Sequence, residues 1–190
     1  MFVEKCHEEI ALKVTQDQRR ELADFYRQIE QRAYRMAEIE TRNSSEALDL
    51  VQDAMESLMK SYLSRPMAEW RPLFYRILQN KIKDWHRKGK FRSIFLSSND
   101  EETNMDALES HVSTTQRSPE EELRGEVQMQ RLQAALNQLS VRQRQTFLLR
   151  IWEGFNEKET AHIMKCSKGS VKTHLSRAMQ SLKAQLQDIS

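Results

Sequence analysis

Residues 139–183 of this 190-residue chain read LSVRQRQTFLLRIWEGFNEKETAHIMKCSKGSVKTHLSRAMQSLK. Asn156 stands three residues before Glu159, which is the spacing of a capping box at a helix start. The pattern that follows predicts a short helix, a turn at residues 165–167 and a longer helix reaching Lys183. This layout is that of a helix-turn-helix, a motif that places its second helix in the major groove of DNA.

The second helix of this pair has a composition suited to DNA. Val171 and Leu175 are expected to point inward, where the small Ala161 of the first helix leaves room for them. The polar residues of the outer face and of the helix start are candidates for contact with DNA: Ser167, Lys168, Ser170, Lys172, Thr173, Ser176 and Arg177. Lys165 occupies a turn position that often holds glycine, so we expect a non-glycine residue in an unfavourable conformation there. An ordinary amphipathic helix pair with a solvated basic face is the alternative.

The first half of the chain also has a helical pattern. Apolar residues recur at spacings of three and four in three stretches: residues 17–40, 44–62 and 74–88. Asn43 is a capping residue before the second stretch. Pro66 and Pro72 indicate a break before the third, and Gly89 is expected to end it.

The second half begins with a further helix start. Pro119, after a capping Ser118, predicts the first residue of a helix, and Ser140 with Gln143 predicts another that Gly154 ends. With only four Gly and three Pro, and no alternating strand pattern, the fold class is all-α, with two small helical domains and a flexible acidic linker. The predicted segments are an N-terminal tip (1–16), a first helical domain (17–95), the linker (96–118) and a second helical domain (119–190).

The net charge of +2 conceals a segregated distribution. Residues 38–56 hold six acidic residues and one Arg, whereas residues 69–92 hold eight basic residues and two acidic ones. Residues 99–122 are again acidic, and residues 165–183 hold five basic residues and no acidic one. Such alternation indicates separate partners for the acidic and the basic segments.

Two helix faces in the first domain are candidate binding surfaces. A carboxylate stripe on the second helix comprises Asp49, Asp53 and Glu56. On the third helix, phosphate, base-edge and base-stacking contacts are predicted for Trp70, Tyr75, Arg76, Asn80, Lys83 and Arg87. Phe74 and Trp85 fall on the apolar stripe and are predicted to be core residues, whereas Trp70 and Tyr75 fall outside it. Simple packing of those two rings is the alternative to stacking.

Nothing in the sequence points to catalysis. It contains no glycine-rich phosphate loop, nucleophile motif or metal-ligand spacing, and Cys6 and Cys166 lie far apart. We therefore expect a non-enzymatic protein with no cofactor and no metal. The first ten residues lack the apolar core of a signal peptide, and no run approaches the ~18 apolar residues of a membrane span, so a cytoplasmic protein without membrane insertion is predicted.

Three segments together resemble the extracytoplasmic-function type of bacterial sigma factor. Residues 139–183 resemble the promoter-reading region 4 of sigma factors, and they also resemble the DNA-binding domain of LuxR-type response regulators. SSEALDLVQDAMESLMKSY (residues 44–62) resembles the segment of sigma domain 2 that binds core RNA polymerase. EWRPLFYRILQNKIKDWHRKGKFR (residues 69–92) resembles the segments that melt and read the −10 element.

The resemblance implies a division of roles. The carboxylate stripe would meet the β′ clamp of core polymerase, the third helix would meet the −10 element, and the helix-turn-helix would read the −35 element of promoter DNA. The family also implies contact with the β flap of the polymerase and an anti-sigma factor as a partner. A LuxR-type regulator that binds duplex DNA alone and an adaptor that docks only proteins are the two alternative functions.

Overall fold

The computed structural model describes residues 16–96 and 119–187, with side chains for residues 16–89 and 129–186. All regular structure in this part of the chain is helical, which confirms the predicted all-α fold class. The chain divides into two units, Met1–Ile94 and Phe95–Ser190. Residues 1–15 of the predicted tip and residues 97–118 of the predicted acidic linker lie outside the described residues.

The first unit contains three helices: α1 (Gln16–Thr41), α2 (Ser44–Tyr62) and α3 (Met67–Leu96). The apolar stripe predicted for α1 is buried, and its members are Leu22, Phe25, Ile29, Ala33 and Met36. Asn43 caps α2 as predicted, because its side chain accepts a hydrogen bond from the Glu46 backbone N–H at 3.0 Å. Arg42, with φ of 57°, makes the turn between α1 and α2 in the left-handed region.

The third helix is longer than predicted. It begins at Met67, directly after Pro66, and continues through Pro72 and Gly89. The break before it therefore covers residues 63–66 and does not extend to Pro72, and the predicted stop at Gly89 is wrong. Pro72 lies in the second turn of α3, near the helix start, and Trp70 and Phe74 on either side are buried, which offsets the lost backbone hydrogen bond. Gly89 does not adopt the left-handed conformation in which a glycine commonly ends a helix.

The second unit contains α4 (Pro119–Gln138), α5 (Val141–Phe147), a π-helical turn (Leu148–Trp152), α6 (Glu157–Met164) and α7 (Lys168–Gln187). Pro119 is the first residue of α4, as predicted. At the start of α5, the Ser140 N–H donates to Gln143 Oε1 at 3.2 Å, and the α6 capping box is complete, with Asn156 and Glu159 bonded at 2.8 and 2.9 Å. Both predicted starts are confirmed.

The π-helical turn was not predicted. Its wider turn rotates the residues within it away from the regular helical register, and the apolar side chain of Ile151 is 53% exposed. Gly154 then ends the segment with φ of +73°, in the left-handed conformation predicted for it.

The turn between α6 and α7 depends on Lys165. This residue has φ 52° and ψ 52°, so the predicted strained position is confirmed. The left-handed turn lets the Cys166 N–H donate to the Ala161 carbonyl at 3.0 Å, which satisfies one of the last carbonyl groups of α6. Across both described ranges, no helix is long and apolar enough to cross a membrane.

The left-handed backbone at Lys165 yields a stability prediction. Lys165→Gly removes a conformational cost of roughly 1–2 kcal/mol but adds unfolded-chain entropy, so we expect a net gain of about 0.5–1 kcal/mol. Lys183→Gly, at an exposed position in α7, should instead lose about 1 kcal/mol. Chemical denaturation of the full chain measures both changes. Equal losses for the two variants would show that the turn carries no strain.

Candidate nucleic-acid interface

The outer face of α7 is exposed and its inner face is buried or half-buried, as predicted. Val171 and Ala178 are buried beneath it, and Leu175 is half-buried. The predicted groove-facing residues of the helix that lie exposed are Lys168, Lys172, Thr173, Ser176 and Arg177. Two lysines and an arginine on one exposed helix face form a surface that can neutralise phosphates.

Two further residues predicted to contact DNA, Ser167 and Ser170, form hydrogen bonds at the start of α7. Ser167 Oγ accepts a hydrogen bond from the Ser170 N–H at 3.1 Å and lies 2.9 Å from Ser170 Oγ. Ser167 therefore caps the helix. Thr173 donates its hydroxyl to the Gly169 carbonyl at 3.0 Å, which holds that side chain against the helix.

One contact links this surface to α6. The Lys172 ammonium lies 3.7 Å from a Glu157 carboxylate oxygen, and the two side chains are 73% and 29% exposed. The local sequence pattern does not predict this contact, because Glu157 lies outside the capping box that Asn156 and Glu159 form. Lys172 therefore has a negative partner on the surface predicted to meet DNA.

The carboxylate stripe of α2 faces solvent along its length. Asp49 is exposed, and the side chains of Asp53 and Glu56 are 62% and 48% exposed. Asp53 pairs with Lys81 of α3 at 3.3 Å, and Glu56 pairs with Lys60 at 3.1 Å. The structure thus places the three carboxylates on one side of α2, with two of them already in contact with lysines.

The polar residues predicted on α3 differ in exposure. Asn80, Lys83 and Arg87 are exposed, and Arg76 is half-buried. The Arg87 guanidinium lies 3.2 Å from Asp84, both largely exposed. These side chains recur at three- and four-residue spacing and share one face of α3.

The aromatic rings of α3 are placed differently from the prediction. Trp70 and Tyr75 are 2% and 0% exposed, so they are core residues and present no face on which a base could stack. Trp85, predicted to be a core residue, is only half-buried, and its Nε1–H donates to Glu46 Oε2 at 2.8 Å. Phe74 is fully buried, as predicted.

The reason is the long span of α3. Its start at Met67 places Trp70 one turn before Phe74, on the same face, and both rings pack edge-to-face against Phe25 of α1 at 5.7 and 6.3 Å. Tyr75 packs edge-to-face on Phe74 at 5.3 Å. The Trp70 Nε1–H donates to the Arg65 carbonyl at 3.0 Å, which removes the cost of burying that donor.

A groove of about 500 Å³ lies between α1 and α2. Its walls include Leu22, Tyr26, Met55 and Met59. Burial, together with the charge of the adjacent Glu30, raises the pKa of Tyr26, so its phenol stays neutral at physiological pH. Among the described residues, no group of three His, Cys, Asp or Glu side chains could hold a metal ion.

Family profiles match both units. The profile of Sigma-70 region 2 matches residues 22–92, and that of Sigma-70, region 4 matches residues 129–182. The two matches together span more than half of the chain. Among curated proteins, no sequence matches this one.

Two solved structures share the fold. The sigma factor RpoE from Bartonella quintana, solved with the anti-sigma factor NepR, has a TM-score of 0.66 and 22% identity, over 88% of this chain and 99% of that one. CnrH, solved with the cytosolic domain of CnrY, has a TM-score of 0.60 and 18% identity, over 89% of each chain.

The two tryptophans of α3 should respond differently to truncation. Trp70→Ala is expected to lower the free energy of unfolding by about 3–5 kcal/mol, because the ring is fully buried. Trp85→Ala should cost only about 1–2 kcal/mol, since its ring is half-buried and forms one hydrogen bond. Urea denaturation followed by circular dichroism measures both losses. A Trp70→Ala variant as stable as Trp85→Ala would contradict the core position of Trp70.

Proposed function

The chain belongs to the sigma-70 family and is an extracytoplasmic-function sigma factor, a non-catalytic RNA polymerase subunit that directs transcription initiation, and we propose that its two helical domains divide this task. Residues 17–95 bind core polymerase and the −10 element. Residues 119–190 bind the −35 element, and residues 96–118 tether the two. The observation that carries this proposal is the match to regions 2 and 4 in this order, with a carboxylate stripe on α2 and a basic outer face on α7.

The carboxylate stripe of α2 binds the β′ clamp of core polymerase. Asp49 is exposed, and Asp53 and Glu56 exchange their present lysine partners for basic groups of the clamp. Exposed ion pairs of this kind contribute only about 0–1 kcal/mol, so the exchange costs little. A charged stripe also steers the encounter with a basic surface and fixes its register.

The exposed polar face of α3 binds the −10 region. Lys83 and Arg87 neutralise phosphates, and the half-buried Arg76 adds a third positive charge on the same face. The Asn80 amide reads a base edge. The burial of Trp70 and Tyr75 removes them from this assignment.

The outer face of α7 enters the major groove at the −35 element. Lys168, Lys172 and Arg177 supply charge, and Thr173 and Ser176 supply shorter polar groups between them. Ser167 and Ser170 hold the start of the helix, whose backbone N–H groups lie near the phosphates. The β flap of the polymerase meets the same domain.

An anti-sigma factor is the remaining proposed partner. The RpoE and CnrH structures were solved with NepR and with the cytosolic domain of CnrY, respectively. The segregated charges of this chain offer both acidic and basic surfaces to such a protein. A cytoplasmic location follows from these roles, since polymerase and chromosome are there.

Core polymerase lacking sigma tests the first role. We expect the labelled chain to bind it stoichiometrically, and Asp49→Lys to weaken binding about ten-fold, because it reverses the exposed charge at the N-terminal end of the stripe. Glu21→Lys, the same charge change at an exposed position of α1, is the control. Fluorescence titration measures both affinities. Equal effects of the two substitutions would remove the stripe from the interface.

Transcription with core enzyme on a genomic library tests the second role. Mapped start sites should share an upstream motif, and Arg177→Ala should weaken holoenzyme binding to that motif and lower the salt slope by about one unit. Lys183→Ala is the matched control on the same helix, about 9 Å farther from its start. Wild-type affinity of the Arg177 variant across the salt series would show that α7 is misassigned.

A further inference from the structure

Glu157 is placed by the start of α6 and not by its contact with Lys172. It is the first residue of the helix, directly after the capping Asn156. Glu159, the other carboxylate of this turn, is engaged in the capping box, where it accepts from the Asn156 N–H at 2.8 Å. The start of α6 therefore fixes the backbone at Glu157, and the capping box leaves the Glu157 carboxylate available to Lys172.

Lys172 is the mobile member of the pair. Its side chain is 73% exposed and has a long flexible stem, whereas that of Glu157 is 29% exposed. The Lys172 ammonium lies 3.7 Å from the Glu157 carboxylate, so it is held near the start of α6. A phosphate that binds Lys172 must compete with Glu157 and must also approach a carboxylate of like charge.

We propose that Glu157 is a positioning residue that restrains Lys172 and lowers the affinity of the chain for DNA without a matching site. This inference rests on the proposed assignment of α7 to DNA. Non-specific binding depends on phosphate contacts, so it bears the cost of displacing Glu157. At a matching site, the ammonium can donate one N–H to a base acceptor and keep another directed at Glu157, because it has three.

The full chain and a short fluorescein-labelled duplex of random sequence provide the test. Glu157→Gln should tighten binding about two- to five-fold, the range that corresponds to an exposed ion pair. The salt slope should steepen by up to about one unit. In the unaltered chain, the Glu157 carboxylate takes up a cation when DNA displaces it from Lys172, and the variant has no carboxylate to do so. On a duplex carrying the motif mapped by transcription, the gain should be smaller.

The double variant separates positioning from general repulsion. In a Lys172→Gln background, Glu157→Gln should change the affinity for the random duplex by less than half of its effect in the unaltered chain. Glu21→Gln, which removes one negative charge from the other unit, should leave that affinity unchanged. Damage to α6 would weaken binding, which is the opposite direction to the expected effect.

The outcomes distinguish this inference from the function on which it rests. If Lys172→Gln weakens binding while Glu157→Gln does not tighten it, the role of Glu157 is refuted and the DNA-binding assignment stands. A gain that persists in full without Lys172 also refutes the positioning role. If neither Lys172→Gln nor Arg177→Ala weakens binding to either duplex, both the inference and the assignment of α7 fail.

Discussion

Ring packing between α1 and α3 is the constraint on which the first unit depends. Trp70 and Phe74 meet Phe25 edge-to-face, and the buried indole N–H has a carbonyl acceptor. Because these bulky groups fit in one arrangement, they fix the rotation of α3 about its axis. The exposed face that carries Asn80 and Lys83 follows from that rotation. The position of the proposed DNA surface of this unit is thus a consequence of where the aromatic rings are buried.

In the second unit, backbone geometry has the corresponding role. A left-handed residue, Lys165, ends α6, and Ser167 caps α7 directly after it, so the angle between the two helices is set within three residues. Arg142 of α5 donates to the Met164 carbonyl at 3.1 Å and ties a third helix to the same turn. Such bonds satisfy the carbonyl groups that the end of α6 leaves open. They hold the outer face of α7 in place although the core beneath it is small.

Both charged surfaces contain partners of opposite sign within the chain. Asp53 pairs with Lys81 in the first unit, and Lys172 pairs with Glu157 in the second. Each pair is exposed, so it is weak and easily exchanged for an external partner. In the proposed roles of these surfaces, binding of polymerase or DNA replaces an existing contact and does not simply add one. This exchange reduces the net affinity for any charged surface and leaves more of the discrimination to shape and hydrogen bonding.

The sequence by itself determined the helices, most of their starts and the two kinds of charged surface. Capping boxes and apolar periods are local signals, and a left-handed position such as Gly154 or Lys165 is recognisable from its neighbours. Only the tertiary structure decided which aromatic rings are buried. Trp70 joins the core because it packs against Phe25 of α1, and Tyr75 packs against Phe74 beside it, whereas Trp85 is only half-buried. The local sequence pattern does not predict the pairing of Lys172 with Glu157 either, since the two residues lie on different helices. They meet only when the turn at Lys165 brings those helices together. Periodicity reports which residues share a helix face, whereas burial and ion pairing depend on what the rest of the chain places against that face.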